Sequence, residues 1–322
     1  MKAIRMTRTG GPEVLEYVNV PDPVPGDGEV LIDVERIGIN FIDTYVRRGM
    51  YPRPLPLIPG YEVAGTVTEA GANVAKTSVG DRVAMAGLSL GSYAEKMVIP
   101  EWQVVRVPDG VSLEDAAAVL EQGMTAHYLC YSTYKLGAGD ICLIHAGAGG
   151  VGRLLIQMAK QLGATVITTV STEQKADMAR SVGADHVVLY TKQDFHEETM
   201  RITDGRGVDV VYDSVGQSTA DDSLASLRPR GMMVLYGAAS GAVQSVPVSV
   251  INAKSLFFTR PGLNDHVATR EELASRAGDV LGWVESGELS LHIHDTYPLS
   301  EAGRAQGDLE NRRTMGKVLL AP

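Results

Sequence analysis

The sequence predicts an α/β fold, a doubly wound parallel sheet inserted into a β-rich domain. Three observations point there. Between residues 141 and 259, apolar strand-like runs alternate with segments of helical spacing, six strands in all. A glycine-rich turn, Gly147 to Gly152, joins the first of these strands to its helix. Short strand patterns fill the chain before residue 123, and another, Gly316–Leu320, lies far enough past the alternating region to return to that first part.

The N-terminal part reads as Ala3–Met6, Leu15–Val20, Val30–Ile37, Glu62–Ala70, Arg82–Met85, Tyr93–Ile99 and Val104–Val107. Turn residues such as Pro25-Gly26-Asp27-Gly28 and Val79-Gly80-Asp81 separate them. Regular short strands with such punctuation suit a barrel or sandwich. The proline-rich stretch 52–60 has structured flanks and reads as an ordered loop. Ser112 begins a helix with Asp115 three residues later, continuing to about Leu120, and a second helix is expected near Met124–Tyr134.

The alternating region then runs strand 141–146, helix 151–162, strand Thr165–Val170, helix Glu173–Val182, strand Asp185–Leu189 and helix Asp194–Ile202. Strand Val208–Asp213, helix Ser218–Leu227, and strands Met232–Tyr236 and Leu256–Thr259 complete it. These strands are rich in Val and Ile with little alternation, as strands covered on both faces are. The tail adds a helix over 269–286, with Thr269 and Glu272 as a capping box, then Ile293–Tyr297, a short helix near Ser300–Glu310 and the final strand.

At 322 residues the chain is long enough for two domains, each with its own core. Its formal charge of −10 speaks against a protein built to bind nucleic acid or an anionic membrane. The N-terminus lacks an apolar signal region, and no stretch is long enough to span a bilayer. The two cysteines, Cys130 and Cys142, cannot form a disulfide framework or a cysteine-based metal site and read as buried apolar residues. A cytoplasmic protein is the expectation. His292 and His294 share one strand face without a third ligand, so no metal site is expected, and no G-x-S-x-G elbow supports serine hydrolysis.

Gly147, Gly149 and Gly152 satisfy G-x-G-x-x-G. Gly147 would permit the tight turn, Gly149 the close approach of a pyrophosphate, and Gly152 the packing of helix on strand. Gly150 and Val151 open the helix, whose free N–H groups suit phosphates. The carboxylate that would bind a ribose 2′-hydroxyl belongs near Val170 and Ser171, where none stands; Glu173 comes late, in a first helical turn. Ser171 and Lys175 could instead face a 2′-phosphate, which favours NADP(H) over NAD(H), although Lys175 alone reads equally as a solvated surface lysine.

Several segments together resemble the medium-chain dehydrogenase/reductase family, within it the zinc-independent NADPH:quinone oxidoreductases of the zeta-crystallin-like branch. They are residues 10–15, Gly38-Ile39-Asn40-Phe41-Ile42-Asp43-Thr44-Tyr45, Gly49-Met50-Tyr51-Pro52, Gly80-Asp81-Arg82-Val83, His145 to Gly152, residues 211–216 and Thr259-Arg260-Pro261. The resemblance implies a GroES-like catalytic domain from residues 1–124 plus a return over 261–322, and a Rossmann NADP(H)-binding domain over 125–260. It also implies a cleft between them and a homodimer. In the zinc-dependent members a Cys stands at Asn40 and a His at Tyr61, so zinc-assisted alcohol oxidation is not expected.

By the same resemblance, Asn40, Asp43, Tyr45 and Tyr51 lie near the substrate. Asn40 or Tyr45 would donate to its carbonyl, and Asp43 would orient that donor or simply cap the local turn. Thr125 lies near the nicotinamide. Ser171, Lys175 and Tyr190 form the adenosine-phosphate pocket. Ser214, Gly237, Ser240, Thr259, Arg260 and Arg312 are further cofactor contacts. The implied reaction is hydride transfer to a quinone or another small electrophilic acceptor. The alternatives are enone or enal double-bond reduction, with Tyr45 or Tyr51 as proton source, and a non-enzymatic NADPH-binding role, as sensor, structural protein or RNA-element binder.

Overall fold

The run Ile141–His145 is apolar along both faces, and such a strand is stable only inside a sheet covered on both sides. It is the centre of one. In a computed structural model describing residues 1–322, it pairs in parallel with Thr165–Val170 on one side and Val208–Asp213 on the other. His186–Leu189 lies beyond the first, and Leu227–Leu235 and Phe257–Thr259 beyond the second. Counted along the chain, the spatial order of these six strands is 3-2-1-4-5-6, the doubly wound arrangement, whose order reverses between strands 1 and 4. Helices Gly150–Gln161, Glu173–Ser181, Phe195–Ile202, Ala220–Ala225 and Val248–Lys254 connect successive strands. Leu143, Ile167, Val188, Val211, Leu227 and Met233 form one buried core of this unit, which covers Thr125–Asp265.

The other unit joins Met1–Met124 to His266–Pro322. Its seven-stranded sheet is built around Glu29–Ile39, which pairs antiparallel with Glu62–Ala70, with Lys96–Pro100 and with Lys317–Ala321. The final strand does return to the N-terminal region. It lies between Glu29–Ile39 and Ile293–Pro298, and its Val318 and Leu320 join the core of Ile37, Ile39, Val63 and Met85.

Three local expectations need correction. The two helices expected near 112–120 and 124–134 are one, Leu113–Tyr128, continued by a wider π turn over Leu129–Thr133. Gly123 does not break it. A Cβ there would lie 2.5 Å from Val280 Cγ1, so the glycine lets helix Arg270–Ser286 pack close, and that packing outweighs the roughly 1 kcal/mol helix cost of glycine. The strand expected at Met232–Tyr236 begins at Leu227, because Leu227 pairs with Val208 across an irregularity before regular pairing resumes at Met232. The preceding helix accordingly ends at Ala225. Finally, Phe41–Arg47 is a helix that no apolar periodicity announced. The capping box of Thr269 and Glu272 is present, with both reciprocal bonds.

Candidate functional site

The phosphate-loop candidate sits at the carboxyl end of Ile141–His145. The left-handed residue of the turn is Ala146, at φ 57°, and not Gly147. Gly147 is required for a different reason: a Cβ there would meet Thr168 Oγ1 at 2.1 Å. At Gly152 a Cβ would meet the Ala146 carbonyl oxygen at 2.3 Å, so the helix is drawn tightly onto the turn. Gly149 differs. Its Cβ would find only the Ala146 oxygen, at 3.2 Å, so little in the protein itself fills that direction. Gly149 is also the N-cap of helix Gly150–Gln161, and no side chain caps it. The first N–H groups, at Gly150 and Val151, therefore head a helix with its positive end uncovered, and the space a side chain would take at Gly149 is left for an anion. These residues fit a dinucleotide pyrophosphate.

At the carboxyl ends of the next two strands lie Ser171 and Tyr190. Thr191 Oγ1 donates to the Ser171 carbonyl at 3.0 Å, and the Tyr190 N–H donates to Val170 at 3.1 Å. Lys175 is in the first turn of helix Glu173–Ser181, where its backbone N–H donates to the capping Thr172 hydroxyl. The structure thus brings Ser171, Lys175 and Tyr190 to one edge of the sheet. Glu173, the late acid, pairs with Lys192 at 3.2 Å.

His145 is fully buried at the end of the central strand. Ser223 Oγ donates to Asp213 Oδ2 at 2.9 Å, so Ser223 accepts from His145 Nε2–H and Thr169 Oγ1 donates to Nδ1. Burial pushes its pKa down and keeps the ring neutral, despite the nearby Asp213. The other oxygen of Asp213 accepts from the N–H groups of Val215 and Gly216 at 2.7 and 2.9 Å. This network fixes the loop carrying Ser214. A Cβ on Gly237 would strike the Ser214 carbonyl oxygen at 2.3 Å, so that glycine brings the next loop against it. The Ser240 hydroxyl donates to Val215 O and accepts from Ser218 N–H, stitching the same loops together. Thr259 ends the sixth strand and Arg260 follows it, exposed; Thr125 is partly exposed near the end of helix Leu113–Tyr128. Arg312 belongs to the other unit, after helix Ala302–Glu310, in a left-handed conformation at φ 59°.

In the β-rich unit the residues expected near the substrate fall into two groups. Asn40 begins helix Phe41–Arg47, and its N–H donates to Asp43 Oδ2 at 2.9 Å. The same oxygen accepts from Tyr93 OH at 3.0 Å. Asp43 is completely buried, and burial raises its pKa from 3.8 to about 7. It faces inwards and braces the helix start. The Asn40 side chain joins a buried polar cluster: Nδ2 donates to Glu62 Oε2 at 2.8 Å, and Oδ1 accepts from Lys317 Nζ at 2.8 Å and Gln122 Nε2 at 3.2 Å. Lys317 also pairs with Glu62, whose second oxygen accepts from the Glu121 N–H at 2.7 Å. Burial lifts the Glu121 carboxyl well above its ordinary range. Sequence reasoning passed over Lys317, yet a lysine within an apolar terminal strand is a signal, because a buried charge demands a partner.

Tyr45 and Tyr51 meet edge to face, with ring centroids 5.6 Å apart, and Phe41 lies 6.2 Å from Tyr45. Tyr61 is buried and accepts from Arg53 Nε at 3.1 Å. A zinc ion does not fit this donor set. Asn40 and Tyr61 supply neither thiolate nor imidazole, and the Lys317 ammonium already takes up the carboxylate of Glu62.

Comparison with known proteins agrees with both halves. Residues 26–109 match the alcohol dehydrogenase GroES-like domain, and residues 150–273 match the zinc-binding dehydrogenase family. The chain is 43% identical to a quinone oxidoreductase of Pseudomonas aeruginosa, over 100% of its own length and 99% of the relative's. It is 41% identical to a 2-haloacrylate reductase of a Burkholderia species, over 98% and 97%. The structure of the Escherichia coli quinone oxidoreductase complexed with NADPH superposes with a TM-score of 0.98 at 42% identity, all of each chain being covered. The chain therefore belongs to the medium-chain dehydrogenase/reductase family, in its quinone oxidoreductase branch.

Proposed function

We propose that this protein is an NADPH-dependent quinone reductase that works without zinc. The observation that carries the reading is the uncapped helix start at Gly149-Gly150, with Ser171, Lys175 and Tyr190 at the neighbouring strand ends. The first holds the pyrophosphate and the second group the adenosine 2′-phosphate. When bound, the nicotinamide supplies a hydride. Thr125, Ser214, Gly237, Ser240, Thr259, Arg260 and Arg312 are assigned to the rest of the cofactor. The quinone is supported by the names of the relatives. Asn40 donates to the acceptor's carbonyl oxygen, stabilising the charge that develops there, and Tyr45 and Tyr51 pack against its ring. Asp43, wholly buried, acts through Asn40 as a positioning residue. Water can deliver the proton.

A second acceptor class has support in the 2-haloacrylate reductase likeness: alkenes conjugated to a carbonyl group. The test is turnover with NADPH and with NADH against a quinone panel and an alkenal and haloacrylate panel, with product identification. NADPH oxidation driven by quinones is expected. NADPH binding without acceptor-dependent oxidation would instead favour a sensor or structural role.

The active form is proposed to be a homodimer. Strand Phe257–Thr259 has one free edge, and its own Phe257 is 57% exposed. Free apolar strand edges invite pairing. Sedimentation of the wild type as a dimer and of Phe257→Lys as a monomer would support this. Residence in the cytoplasm is supported by two free, buried thiols; no helix is long and apolar enough to cross a membrane.

A further inference from the structure

The Asn40 carboxamide has four hydrogen-bonding positions, two on the oxygen and two on the nitrogen. Both oxygen positions are taken within the protein, by Lys317 Nζ at 2.8 Å and Gln122 Nε2 at 3.2 Å. One nitrogen position is taken by Glu62 Oε2 at 2.8 Å. A single N–H remains. Turning the amide over would set its nitrogen against the ammonium of Lys317 and the donor of Gln122, and its oxygen against the Glu62 carboxylate. All three bonds would become clashes of like with like. Lys317 is 3% exposed and Glu62 fully buried, so water does not rescue the turned-over form. The ammonium also polarises the amide it touches and makes the remaining N–H a better donor.

We infer that Lys317, assisted by Gln122, is a positioning residue that holds Asn40 as a hydrogen-bond donor only, so that its site selects a carbonyl oxygen over a hydroxyl group. This rests on the reading that Asn40 faces the acceptor. It goes further in assigning the direction of the bond and the residues that set it. The selected partner class is the oxidised, carbonyl-bearing form of an acceptor. The hydroxyl product can still accept from the remaining N–H, as a weaker acceptor than the carbonyl, but its own proton finds no acceptor on Asn40. The site therefore favours release of its own product.

The experiment measures equilibrium binding of a quinone and of its hydroquinone under anaerobic conditions, by calorimetry, in the absence of nucleotide. The wild type should prefer the quinone. Lys317→Met should reduce that preference at least tenfold, and Lys317→Arg should keep it within threefold. Lys317→Met leaves Glu62 without its cation and can cost the fold. Gln122→Leu is therefore measured beside it: the change is half-buried and frees one position on the Asn40 oxygen, and hydroquinone affinity should rise about threefold to tenfold while quinone affinity holds. An unchanged ratio in Gln122→Leu, or in a folded Lys317→Met, overturns the inference. Failure of the wild type to oxidise NADPH with any quinone overturns the functional reading alone, because the binding ratio is read without turnover.

Discussion

The two units build their sites by opposite means. In the nucleotide-binding unit most of the proposed contacts with the cofactor lie at or just past a strand end or on the first turn of the helix that follows, Thr125 and Ser240 apart. Gly147 to Gly152 is one continuous stretch, held by backbone geometry and helix polarity. In the β-rich unit the centre is Asn40, Glu62, Gln122 and Lys317, and its longest bond joins residues 277 positions apart. The first site is a local conformation and the second is a tertiary one. A local site should tolerate damage elsewhere and fail on small steric changes. A tertiary site should be sensitive to charge and to pH.

The largest expected effect is electrostatic and lies in the tertiary site. An acid whose folded-state pKa is raised from 3.8 to about 7 holds a proton in the native state that the unfolded state has lost. The stabilisation it brings is complete below pH 3.8 and is lost as pH rises to about 7. Asp43 should therefore make stability fall across that window, by on the order of 4 kcal/mol in total. Asp43→Asn imitates the protonated acid and should flatten this part of the curve, as urea unfolding at pH 5 and pH 8 would reveal. An unaltered slope would mean that the carboxyl is already ionised in the fold.

Next is the steric test of the local site. Gly152→Val puts a side chain against the Ala146 carbonyl and should weaken NADPH binding at least a hundredfold, or about 3 kcal/mol. Gly149→Ala meets only that oxygen, at a tight 3.2 Å that asks the turn to give by a few tenths of an ångström, and should lower the melting temperature by no more than a few degrees while costing roughly tenfold in affinity. If Gly149→Ala bound NADPH normally, the uncapped helix start would not be the phosphate cradle. The smallest effect discriminates between cofactors. Lys175→Ala should raise KM for NADPH about tenfold and leave NADH unaffected, because only the 2′-phosphate is lost. Equal changes for both would remove Lys175 from that pocket.

The same contrast explains what could be read without coordinates. The six parallel strands of the doubly wound sheet follow from apolar runs and one glycine signature, because each strand and its crossover helix are written within about 30 residues. Roles inside the loop were less legible: Ala146 makes the tight turn, and Gly147 yields to Thr168, a neighbour across the sheet. Helix Phe41–Arg47 was missed because it is held by Asp43 and by Tyr93, fifty positions away, and not by an apolar stripe. Gly123 falls between the two helices that were expected and is instead a helix contact, which Val280, far along the chain, explains. Resemblance brought Asn40, Asp43, Tyr45 and Tyr51 into view, but the sequence held no sign that Asp43 turns inwards while Tyr45 and Tyr51 stack edge to face.

The strand Lys317–Ala321 lies between Glu29–Ile39 and Ile293–Pro298, with the whole nucleotide-binding unit intervening in the chain. During synthesis the inserted unit has all of its residues available while the β-rich unit still lacks its closing strand. Until Lys317 leaves the ribosome, Glu62 has no cation and Asn40 no fixed direction. On the proposed reading, the residues of the strand-end nucleotide site are all synthesised before the cluster around Asn40 is complete, and Lys317 is among the last residues to join it.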